Sequence, residues 1–144
     1  MKFCISNLAW NNSEEPYVLN LINKRIKLLE YAPLLIIKDL NSKKEILNTK
    51  NVWSKRKISL YSMQSVLYGN NNCYIFGNKM QRQNFYNEVK KKIILAKILK
   101  KKVIVFGSPK NKKTFGKKKE VLDKLSFEMF KKISLISERN KITF

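Results

Sequence analysis

Histidine is absent from the 144 residues, which excludes imidazole acid–base chemistry and His-ligated metal centres from this chain. Carboxylates are scarce, ten in all against 31 basic residues. Glu14, Glu15, Asp39, Glu45, Glu88, Glu120, Asp123, Glu128 and Glu138 mostly fall on predicted helices or surface loops. Only Glu30 lies near the C-terminal end of a predicted strand, and one carboxylate forms neither an acid–base pair nor a divalent-metal cage. The two cysteines, Cys4 and Cys73, have no histidine to activate them, so a thiol nucleophile is disfavoured and both are expected to be reduced and buried. No Gly-rich phosphate loop follows the first strand, which removes support for a dinucleotide-binding fold. No uncharged apolar run reaches the roughly 18 residues of a membrane span. The opening MKFCISNLAW lacks a cleavage pattern, so a cytoplasmic location is the default expectation.

What the chain has in excess is positive charge, +21 net. All but four of the basic residues are lysine, the exceptions being Arg25, Arg56, Arg82 and Arg139. Base and phosphate recognition favours the planar guanidinium fork. The lysines come with abundant Asn and Ile, the mark of AT-rich coding, and the runs at 90–92, 100–102 and 117–119 sit in or beside helical patterns. A solvated basic face therefore outweighs a nucleic-acid surface, and nucleic acid is disfavoured as a partner.

Hydrophobic residues make up 44% of the chain, enough for one globular domain over 1–144. A complete eight-stranded α/β barrel needs about 250 residues, more than are present. Strand-like runs appear at Phe3 to Ala9, Lys27 to Ala32, Lys57 to Leu67 and Lys102 to Phe106, and Lys141 to Phe144 reads as the start of another. Helical spacing fits Val18, Leu21, Ile22, Arg25 and Ile26, with Ser13 as the expected cap and Pro16 in the first turn. Phe85, Val89, Ile93, Ala96 and Leu99 form a second stripe, and Val121 to Ile136 a third. Residues 34 to 57 leave room for one helical turn. The run KVIVF predicts a strand buried on both faces of a parallel sheet. The fold class is α/β, built of parallel βα repeats.

In such folds the site lies beyond the C-terminal strand ends. Those positions hold Asn7, Trp10, Asn11 and Asn12; Glu30, Tyr31 and Pro33; Ser62, Met63, Gln64, Ser65 and Tyr68; then Ser108, Pro109, Lys110 and Asn111. Amides, hydroxyls and aromatic rings suit a polyol, which offers hydroxyls to bond and C–H faces to stack. Lys110 in the GSPK turn places a point charge that a phosphate could meet, although a solvated lysine is the plainer reading.

Four segments in order resemble the sugar-phosphate isomerase/epimerase family of xylose-isomerase-like barrels: KFCISNLAW at 2–10, LLEYAP at 28–33, ISLYSMQSVLYG at 58–69 and VIVFGSPKNK at 103–112. The resemblance implies the first half of a TIM (β/α)8 barrel, cut at the start of strand five. It implies a divalent metal held in full-length members by two Glu, one Asp and one His on strands five to eight; none of these ligands has a counterpart here, the first falling just past Phe144. No cofactor is thus expected within this chain. What carries over is the front half of a sugar pocket, Trp10, Glu30, Gln64, Ser108 and Asn111, for a sugar or sugar phosphate. The Lys-rich stretch between Pro33 and Lys57 departs from the family pattern. Without those ligands the chain alone is expected to be inactive; a half barrel also exposes sheet edges, so it is expected to be poorly soluble or to pair with a copy of itself or with a complementing C-terminal half. The alternative is a basic, non-enzymatic protein that uses the fold to bind nucleic acid or another anionic partner.

Overall fold

Alternation of short apolar runs with amphipathic segments builds strands β1 (Cys4–Ser6), β2 (Leu28–Tyr31), β3 (Ser59–Met63) and β4 (Val103–Ile104). Between them lie helices α1 (Glu15–Arg25), α2 (Pro33–Ile36), α3 (Lys43–Lys55) and α4 (Lys79–Ile98), and after them a short 3-10 turn (Pro109–Lys112) and α5 (Lys119–Arg139). The computed structural model describes residues 3–11 and 13–144, without the side chains of 23–25; Lys2, Asn12 and the Arg25 side chain lie outside the described residues. The strands pair in parallel in chain order, as expected of βα repeats.

The α4 stripe is buried as its spacing predicts, and a capping box of Asn78 and Gln81 starts the helix, each amide bonded to the other's side chain at 2.9 Å. Three findings differ from expectation. Residues 34 to 57 hold a full thirteen-residue helix, α3, capped by Ser42 and buried through Ile46, Thr49 and Trp53. Ser13 does not cap α1; the Asn11 side chain accepts from the Ser13 and Glu14 amides, and Glu14 occupies the cap position. Strand β4 is two residues long, with Ile104 buried and Val105 45% exposed. Alternation turns Val103 and Val105 to the sheet face opposite Ile104, away from the core that the described helices cover. The expected fifth strand begins with one parallel bridge, Thr143 to Val103.

Helices α3, α4 and α5 end alike. After each comes a lysine with left-handed φ: Lys57 at 58°, Lys100 at 56° and Lys141 at 57°. Their amides bond back to Ser54, Lys97 and Glu138, and the next amides reach Trp53, Ala96 and Ser137, which is the Schellman pattern. Glycine takes this conformation without the Cβ clash that a lysine meets. Each of Lys57→Gly, Lys100→Gly and Lys141→Gly is therefore expected to stabilise the chain by about 0.5–1 kcal/mol, nearly additively. Urea denaturation checks this; a lower midpoint in all three variants contradicts it.

Candidate functional site

The register brings Ser6 opposite Glu30, Glu30 opposite Ser62, and Ser62 opposite Val103, one row across the whole sheet. The flanking rows, Ile5–Leu29–Leu60 and Tyr31–Met63–Ile104, point the other way, into the core under the helices. A register shift after Leu29 makes Tyr61 an extra residue in β3. That bulge keeps Ser62 on the same face as Glu30, since strict alternation after Leu60 would put Tyr61 there instead.

The row is hydrogen-bonded within itself. Ser62 Oγ donates to Glu30 Oε1 at 3.0 Å. Gln64, one residue beyond β3, donates its side-chain amide to Ser6 Oγ, and its backbone amide bonds Tyr31 at 2.9 Å. Asn7 is buried and ties the ends of β1 and β2: its amide bonds the Glu30 carbonyl at 3.0 Å and its Oδ1 accepts from Ala32 at 2.9 Å. Two polar side-chain pairs, Ser62–Glu30 and Gln64–Ser6, thus lie near one another at the C-terminal side of β2 and β3. Ser6 has no place in a search of post-strand loops, because it sits inside β1; its period-two relation to Cys4 was the available signal.

The other expected pocket residues serve different neighbours. Trp10 is half-buried and packed against the hydrophobic core. Ser108 takes a left-handed φ of 31° and its carbonyl accepts from the Asn111 amide at 3.1 Å. Asn111 is buried and fastens the loop before α4, its Nδ2 donating to the Cys73 carbonyl at 2.6 Å and its carbonyl accepting from Ile75 at 3.0 Å. Lys110 is exposed. Cys73 is buried as expected, whereas Cys4 is exposed; partial desolvation, and then the Glu30 carboxylate, push the Cys4 thiol up from its ordinary value, so it stays protonated. Burial likewise raises the Tyr31 phenol on the core side.

The divalent cation that the family resemblance implies does not fit this row. Glu30 is its only carboxylate, and its neighbours are hydroxyls and an amide, whereas such cations take about six oxygen ligands. No helix among the described residues is long and apolar enough to cross a membrane.

No family model and no curated relative matches the sequence. Among solved structures, D-psicose 3-epimerase with D-tagatose from Clostridium cellulolyticum H10 superposes with a TM-score of 0.68 at 16% identity, over 99% of this chain and 50% of that one. A D-psicose 3-epimerase in the presence of D-fructose gives 0.69 at 14%, over 99% and 50%. The 3-keto-D-glucoside 4-epimerase of E. coli, in its apo form, gives 0.68 at 13%, over 99% and 54%. The chain spans about half the length of the structures it matches. At these identities the likeness is one of fold: the four-stranded parallel sheet with its helices corresponds to roughly half of an α/β barrel.

Proposed function

We propose that this chain is the N-terminal half of a sugar isomerase or epimerase of the xylose-isomerase-like type and supplies the front of its sugar pocket. The observation that carries this is the Ser6–Glu30–Ser62 row with Gln64, on the sheet face turned away from the core at the strands' C-terminal side, where Ser62 is buried and the other three are half-buried. Glu30 accepts from a sugar hydroxyl while Ser62 holds its other contact, and Gln64 presents an amide oriented by Ser6. The loops after β1 and β4 border the pocket, with Trp10 and Asn111 holding them in place by packing and hydrogen bonding and Ser108 at the turn, and Lys110 in the same turn suits a sugar phosphate. The part played by these residues is binding and orientation; the metal-dependent proton transfer of the family requires ligands from further βα units, which complete the barrel against this face of the sheet.

Sugar titration followed by amide NMR tests the reading. D-Psicose, D-tagatose or D-fructose is expected to shift Ser6, Glu30, Ser62 and Gln64, with millimolar affinity because half of the pocket supplies only a few polar contacts. Glu30→Gln keeps an acceptor for Ser62 and removes the charge, and is expected to weaken binding about tenfold. Shifts that avoid this row at decimolar sugar, or that are unchanged in the variant, would remove the proposal's basis.

A further inference from the structure

A groove of about 410 Å3 opens on the helix side of the sheet, between the α2–α3 region and α4, and no part of the polar row lines it. Leu34, Leu40, Ile46 and Ile98 give it apolar walls. Its α4 wall also carries Lys92, a lysine only 5% exposed. The nearest carboxylate oxygen, of Glu88, lies 3.7 Å from the Lys92 ammonium, outside hydrogen-bond range. The other oxygen of that carboxylate already holds Lys91 at 2.5 Å. One carboxylate therefore serves two ammonium groups, and Lys43 adds a third cation to the lining.

We propose that this groove binds an amphiphilic monoanion, a carboxylate head on an aliphatic tail, with the head on Lys92 and the tail along Leu34, Leu40, Ile46 and Ile98. The Lys92 ammonium, on a buried stem, meets the groove with one distant, shared counterion, and a ligand carboxylate supplies a closer one. Burial depresses the Lys92 pKa, the neighbouring Lys91 adds to this, and the Glu88 carboxylate partly opposes it. The net positive lining selects the sign of the head, and the volume lies in the range of small-molecule sites. The inference is independent of the sugar reading, since it uses the opposite side of the sheet.

Octanoate is the probe, titrated into the full chain by calorimetry and amide NMR at fixed ionic strength, with acetate and octanol as comparators. Octanoate is expected to bind at least about tenfold more tightly than either and to shift residues lining the groove. Lys92→Met, which removes the buried charge and keeps the stem's volume, is expected to lose about tenfold in affinity. Leu34→Glu puts a carboxylate at a position already half-exposed and is expected to lose a similar factor, which decides the matter should Lys92→Met fail to fold. Acetate matching octanoate would reduce the site to surface charge, and octanol matching it would reduce the site to an apolar groove. Either result, or full affinity in a folded variant, overturns the proposal.

Discussion

Replacing Phe85 with alanine is expected to cost about 3–5 kcal/mol, a large share of the roughly 5–15 kcal/mol by which such domains are stable. Phe85 is fully buried on α4 and meets Phe106 edge-on, with ring centroids 5.6 Å apart. Phe106, just past β4, stacks on Phe144 at 5.6 Å and meets Phe130 of α5 at 6.0 Å. One ring cluster thus joins α4, the end of β4, α5 and the segment that begins strand five. Removing Phe85 opens a cavity beneath Phe106 and loosens all four at once. Phe127 on α5 is 70% exposed, and Phe127→Ala is expected to change stability by no more than about 0.5 kcal/mol. Urea unfolding of both variants checks the contrast; similar losses in the two, or none in Phe85→Ala, contradict it.

The parts of the fold legible in the sequence are those where burial repeats with a clean period. The α4 stripe is of this kind, and so are the parallel strands, whose core residues Leu29, Leu60 and Ile104 lie in apolar runs. Helix α3 was obscured because a threonine, Thr49, occupies the middle of its buried face and bonds the Ile36 carbonyl, so the hydrophobic period breaks between Ile46 and Trp53. The length of β4 was overread for the opposite reason. KVIVF is uniformly β-branched and aromatic, which reports strand propensity without reporting that one side of the strand faces away from the core. At the site, Glu30 and Gln64 stood out as polar groups at strand ends. The pairing of Glu30 with Ser62 and of Gln64 with Ser6 depends on the register and on the bulge at Tyr61, which no local pattern encodes.

The outward sheet face leads to the second large effect, self-association whose dependence on salt is the reverse of what a basic protein usually shows. Val105 and Tyr61 are 45% and 50% exposed, Val105 on the sheet face turned away from the core, and among the described residues β4 is extended by the single bridge from Val103 to Thr143. Two copies have about the length of one of the barrels that this chain matches over half. Each copy carries +21, so bringing two together is opposed by long-range repulsion. Screening shortens that repulsion from a range of about 10 Å at 0.1 M salt to about 3 Å at 1 M, while the apolar contact is left in place. The dimer dissociation constant is therefore expected to fall about tenfold over this interval, as measured by sedimentation equilibrium. Complexes held by lysine contacts to nucleic acid behave in the opposite way and dissolve as salt rises, so the sign of the slope separates the two readings of the charge. Val105→Lys removes apolar surface from this face and adds a charge there, at a position exposed enough to leave folding intact. It is expected to keep the chain monomeric at both salt concentrations. A chain monomeric throughout, or a dimer indifferent to Val105→Lys, contradicts the expectation.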